Sequence, residues 1–208
     1  HCYAGSAVSS PSRCTLMTGK HTGHCTIRDN FVMAGGIEGK KGDQTIRRMH
    51  LQESDTTIAD VLRAAGYRTC LVNKWHLDGF NPEATPLNRG FDEFYGWLIS
   101  TAHSNDPYYY PYYRFHGREL VNIAENAAGR HALHSPDLST DDAIAFIRRN
   151  QHQPFFLYLA YDAPHEPYNI DDTHWYGHTL WGVNTQRYAS LITHMDEAIG
   201  RVVAELDT

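Results

Sequence analysis

Apolar positions along this chain alternate between helical and extended periods. From 54 to 65, Ile58, Val61, Leu62 and Ala65 fall at helical spacing, with Ser54 or Asp55 placed to cap and Gly66 to stop. Arg68 to Asn73 follows as a short buried strand around Thr69-Cys70-Leu71-Val72. The same order returns later. Ser139 to Asn150 reads as a helix capped by Ser139 or Thr140, with Asp141 and Asp142 in its first turn. After Pro154 comes Phe155-Phe156-Leu157-Tyr158-Leu159-Ala160-Tyr161, apolar throughout, which predicts a central strand covered on both faces. A long amphipathic helix closes the chain over 185–206, its stripe drawn by Leu191, Ile192, Met195, Ile199, Val202, Val203 and Leu206. Helix, glycine turn and strand in succession predict an α/β layer. Residues 82–111 are loop-rich, and no repeat or linker marks a boundary, so 1–208 reads as one domain or part of one.

Composition narrows the choices. At 208 residues the chain can bury a sizeable core. Eighteen Lys plus Arg against 24 Asp plus Glu give a net charge of −6, which excludes broad nucleic-acid binding. An anionic ligand would be held by a few local cations instead. The four cysteines, Cys2, Cys14, Cys25 and Cys70, form neither a zinc spacing nor a disulfide scaffold. His21, His24 and Cys25 lie close together, but a polar loop after Gly19 explains them better than zinc does. No apolar run is long enough to span a bilayer. A start at His1 and a stop at Thr208, inside a helical pattern, suggest a fragment of a longer chain.

Three short segments carry chemistry. The first is Ser9-Ser10-Pro11-Ser12-Arg13-Cys14-Thr15-Leu16-Met17-Thr18-Gly19, a hydroxyl ahead of a short helix. Ser10 can cap, Pro11 suits the first helical position and Gly19 suits a left-handed stop. Arg13 has the wrong sign for the positive end of a helix dipole unless an anion sits in front of it. The second is Lys74-Trp75-His76 at the end of the first strand, where side chains two apart share a face. The third is Asp162-Ala163-Pro164-His165 after the second strand, with Pro164 stiffening the exit. Its histidine is either a site residue or a solvated turn residue. The tyrosines from Tyr108 to Tyr113 either stack on a sugar or aryl ring or cover the core.

These segments, in this order, resemble the type I sulfatases of the alkaline-phosphatase-like superfamily. Ser9-x-Pro11-Ser12-Arg13 with Thr18-Gly19 is similar to that family's signature, in its serine form. Gly66-Tyr67-Arg68-Thr69 leading to Lys74-Trp75-His76 resembles its Gly-Tyr-x-Thr…Lys-Trp-His stretch. Gly90-Phe91-Asp92-Glu93-Phe94-Tyr95-Gly96 and Ala163-Pro164-His165 resemble two further family segments. The implied fold is an α/β sandwich, a mostly parallel or mixed central sheet flanked by helices, incomplete in this chain.

The implied activity is sulfuric ester hydrolysis through a formylglycine hydrate and a sulfated covalent intermediate. On that resemblance Ser9 is the formylglycine precursor and one ligand of a divalent cation, usually calcium. Arg13 stabilises the hydrate, Lys74 and His165 bind sulfate oxygens, His76 contacts the hydrate, and His103 lines the substrate pocket. The partners implied are a sulfate-ester small molecule or sulfated carbohydrate and a formylglycine-generating maturation enzyme. The serine form is chiefly bacterial, and the implied location is periplasmic or extracellular. The family's acidic metal ligands fall outside this stretch, so the 208 residues alone are expected to be inactive. Three alternatives stand beside this reading: a phosphonate or phosphate monoester hydrolase on the same fold, a non-catalytic sulfated-glycan binder with an unconverted Ser9, and a truncated product without function.

Overall fold

In a computed structural model, residues 3–99, 108–173 and 176–208 are described. Four helices and seven strands follow in the order α1 (Ser9–Thr18), β1 (Ile37–Lys41), β2 (Gln44–Arg48), α2 (Ile58–Ala64), β3 (Arg68–Lys74), β4 (Glu93–Trp97), β5 (Tyr113–His116), β6 (Glu119–Asn122), α3 (Ser135–Asn150), β7 (Phe155–Ala160) and α4 (Val183–Leu206). The main sheet has the order β6-β5-β4-β3-β7. β7, β3 and β4 run parallel, whereas β5 and β6 join as antiparallel strands, so the sheet is mixed. β1 and β2 form a separate antiparallel hairpin that the hydrophobic pattern did not announce.

Strand alternation assigns the faces. Leu71 of β3 and Phe156 and Tyr158 of β7 turn toward a core built with Cys14 and Met17 of α1 and Ala59 of α2. Cys70 and Val72, with Phe155, Leu157 and Leu159, turn the other way onto Phe146 of α3. Burying side chains of this size stabilises the fold by about 1.5–3 kcal/mol each. The helices thus flank the sheet on both sides. β7 is apolar on both faces as expected, but it is not central: among the described strands it pairs only with β3 and forms the sheet edge.

Several helix starts differ from expectation, each for a local reason. α1 begins at Ser9 with Val8 as its cap and no capping side chain. Pro11 is therefore third in the helix, where its missing N–H has no helical acceptor to lose. The Ser10 N–H is satisfied from outside the helix, donating to Asn30 Oδ1 at 2.8 Å. Gly19 does close α1 in the left-handed conformation, at φ 68°. α2 is capped by Thr57, not by Ser54 or Asp55, because Thr57 and Asp60 complete a reciprocal capping box. Asp55 instead accepts from the Gln52 N–H and from Lys20 Nζ. α3 starts a turn earlier than Ser139, with Pro136 and Asp137 in its first turn. Ser139 and Thr140 lie inside it, their hydroxyls donating to the Ser135 and Pro136 carbonyls. In α2, Ile58 and Val61 stay exposed, and in α4, Ile192, Ile199, Val203 and Leu206 do, so each predicted stripe is only partly covered.

Candidate active site

Residues after β3 turn sharply. Asn73 and His76 both have positive φ, 79° and 62°, so Lys74 and His76 do not share a face by simple alternation. The chain is pinned to the neighbouring strand instead, with the Trp75 and His76 N–H groups donating to the Trp97 and Leu98 carbonyls at 3.0 and 2.6 Å. Gly96 permits the close approach, since a Cβ there would lie 2.3 Å from the Asn73 carbonyl oxygen. The outcome is still convergence, by a bent backbone rather than a straight one.

Ser9 Oγ is the centre of that convergence. Arg13, one helical turn along α1, donates from Nε to Ser9 Oγ at 3.1 Å. His76 Nδ1 lies 3.1 Å from the same oxygen. Arg13 occupies one of the two lone pairs of Ser9 Oγ, and in the tautomer with Nδ1 unprotonated the hydroxyl donates to the imidazole. The guanidinium is itself held by the Lys74 carbonyl at 2.6 Å and the Tyr158 hydroxyl at 3.3 Å, both approached by Nη1. A cavity of about 340 Å³ opens beside Ser9, with Ser12, Arg13, Lys74, Tyr158, Asp162 and His165 among its lining residues.

Electrostatics follow from burial. Lys74 is 4 % exposed, and desolvation, then the nearby Arg13 charge, lowers its pKa to about 8. His76 is driven down to about 2, first by burial and then by Lys74, so it is neutral in the folded protein. Asp162 is buried and its pKa is raised by desolvation, while the Ser135 hydroxyl donates to its Oδ2 at 2.8 Å. Two cationic side chains and the positive end of α1 thus face one small polar cavity, a setting that attracts an oxyanion.

The third segment reaches the same cavity from another strand. His165 is exposed at its rim, with its turn closed by the His165 N–H on the Asp162 carbonyl at 2.9 Å. The Tyr109 hydroxyl donates to the His165 carbonyl at 2.7 Å, and the Tyr108 ring stacks on the imidazole with 5.5 Å between centroids. Tyr108 and Tyr109 are therefore buried packing for this turn, and Tyr110 is buried against His131, so these three do not form an open sugar platform. Five of the side chains singled out in the sequence, Ser9, Arg13, Lys74, His76 and His165, line or touch one site. His103 lies outside the described residues.

Tyr158 and Asp162 were not singled out as cavity residues. Their signal was present: they stand four apart on and just past β7, so they fall on the face that carries Phe156 toward α1. His21, His24 and Cys25 form no metal group among the described residues. The Cys25 thiol is buried and donates to the Ile27 carbonyl, and His21 Nδ1 accepts from the Gly23 N–H.

Comparison with known proteins agrees over the whole length. The family model described as Sulfatase matches residues 1–208. An N-acetylgalactosamine-6-sulfatase of Sus scrofa is 29% identical over 217 residues, covering 98% of this chain and 38% of that protein. An arylsulfatase of Klebsiella aerogenes is 30% identical over 179 residues, covering 82% of this chain and 36% of the relative. Animals and bacteria are thus both represented, and the chain spans well under half the length of either relative. Among solved structures, Ps i-CgsB in complex with k-i-k-neocarrahexaose superposes with a TM-score of 0.75 at 24% identity, covering 99% of this chain and 46% of its own. That likeness supports the fold, an incomplete alkaline-phosphatase-like α/β sandwich.

Proposed function

This chain belongs to the sulfatase family, and on that premise we propose that it carries the nucleophile half of a sulfuric ester hydrolase acting on a sulfated carbohydrate. The observation that carries the proposal is the double hold on Ser9 Oγ, by Arg13 Nε and His76 Nδ1, at the mouth of a cationic cavity. The carbohydrate is suggested by the pig relative, an N-acetylgalactosamine-6-sulfatase, and by the k-i-k-neocarrahexaose in complex with the structural neighbour. A periplasmic or extracellular setting is proposed with it.

Each residue has a role that its surroundings favour. Once Ser9 is oxidised to formylglycine by a maturation enzyme and hydrated, it supplies the attacking oxygen and a second hydroxyl that lets sulfate leave. Arg13 fixes that oxygen and offsets its charge. Lys74, charged below about pH 8, meets the sulfate oxygens from the cavity wall. Neutral His76 accepts a proton from the nucleophile at Nδ1. His165, exposed at the rim, is placed to donate a proton to the departing alcohol. A divalent ion, calcium in this proposal, is the family's usual companion to Ser9. Ser9 and Asp162 are too few oxygens for a hard ion that takes at least six. Among the described residues no group of three acidic, histidine or cysteine ligands gathers at Ser9.

The test co-expresses the protein with an oxygen-independent formylglycine-generating enzyme. The mass of the peptide spanning 9–13 is then measured, together with initial rates of the full-length parent protein on matched aryl sulfate and aryl phosphonate esters. The expected result is a loss of about two mass units at Ser9, from oxidation of the hydroxyl to an aldehyde, with the sulfate ester hydrolysed faster. An unconverted Ser9 alongside binding of sulfated glycans, or a faster phosphonate reaction, overturns the proposal.

A further inference from the structure

A second polar cleft, of about 270 Å³, lies between the start of α3 and the middle of α4, remote in sequence from the Ser9 segment. His134, Asp137 and His194 converge there, each offering one ligand atom, with those atoms all within 4.8 Å of one another. His194 Nε2 already lies 3.1 Å from Asp137 Oδ2. His134 is the telling member. It is 7 % exposed, and neither ring nitrogen has a partner in good hydrogen-bond geometry, although the Asn169 backbone lies close enough to interact with the ring. The Asn169 backbone can take at most one ring nitrogen, so at least one is buried and unpaired, which is costly unless something else satisfies it. Its ring meets that of His194 edge-on, with 4.9 Å between centroids.

We propose that His134, Asp137 and His194 form a binding site for a divalent transition-metal ion of the zinc class. Two imidazole nitrogens and one carboxylate oxygen are the donor set of such ions, whereas calcium and magnesium take oxygen. Three protein ligands leave a fourth position for water, and the cleft is roomy enough to admit one. Arg201 does not block the site, because its Nη1 holds Asp137 Oδ1 at 3.3 Å and leaves Oδ2 facing the imidazoles.

The ion would tie the first turn of α3 to α4, joining residues 57 positions apart. Ser135, next to His134, donates its hydroxyl to Asp162, which lines the Ser9 cavity. The site therefore acts as a structural clamp behind the candidate active site and does not depend on the sulfatase reading.

Zn²⁺ is titrated into the chelator-treated full chain by calorimetry, and Co²⁺ is bound in parallel and read by visible absorption and by proton NMR. One equivalent of Zn²⁺ is expected, with a Co²⁺ band of four-coordinate intensity and two paramagnetically shifted imidazole signals. His134→Ala and His194→Gln should each weaken binding at least tenfold, while His152→Ala, far from the cleft, leaves it unchanged. Equal Zn²⁺ affinity in the wild type and His194→Gln overturns the site. So does a Co²⁺ complex of the wild type lacking two shifted imidazoles, which tests the idea even where a variant does not fold.

Discussion

Replacing Lys74 by methionine should make the protein more stable while removing its grip on sulfate. Lys74 sits 4 % exposed at the cavity wall, and its pKa falls from 10.5 to about 8 chiefly through burial and then through the charge of Arg13. At about 1.4 kcal/mol per pH unit, holding that charge inside the folded protein costs roughly 3 kcal/mol. The sign follows from proton counting. The unfolded chain keeps the lysine proton up to pH 10.5, whereas the folded chain releases it near pH 8. Between those values the unfolded state binds more protons, so stability rises with pH and the penalty persists below about 8. Methionine fills a similar volume without charge. Urea unfolding at pH 7 should therefore show Lys74→Met more stable by about 1–3 kcal/mol, with the gap nearly closed at pH 10. Added sulfate should raise the wild-type midpoint at pH 7 and leave that of the variant unmoved. A variant less stable than wild type at pH 7, or a gap of equal size at both pH values, would refute the desolvation argument.

Two other outcomes follow from single contacts. Thr57→Ala removes the capping box and the hydroxyl's bond to the Arg89 carbonyl, so thermal unfolding should show a loss of about 1–2 kcal/mol, with Thr57→Ser close to wild type. His76 stays neutral because burial holds it near 2, so the acid limb of the matured enzyme's pH–rate profile should not belong to it. His76→Gln should cut kcat by about a hundredfold and leave that limb in place, whereas a limb that disappears in the variant would assign the titration to His76.

The chemistry-bearing segments were legible because each is short and stands beside an element with strong local signals. Ser9 and Arg13 are one turn apart on α1, and a glycine stop fixed the end of that helix. β3 and β7 were visible as uninterrupted apolar runs, and residues at their ends were natural site candidates. Helix starts were less legible. Ser10, Asp55 and Ser139 are all good caps by composition, but Asn30, Gln52 and the Ser135 carbonyl claim the local groups instead.

Sequence by itself determined the periods and order of α2, β3, α3, β7 and α4, and singled out candidate site residues beside them, because those depend on neighbours a few residues away; β1, β2, β4, β5 and β6 it left unread. Tertiary structure alone decided that β7 ends the sheet among the described strands, that Tyr108 and Tyr109 brace the His165 turn, and that Tyr158 and Asp162 join the Ser9 cavity. It also brought Asp137 against His194 across 57 positions, with His134 joining them. Contacts of that kind arise from strand pairing and helix packing between distant segments, and no local period encodes them.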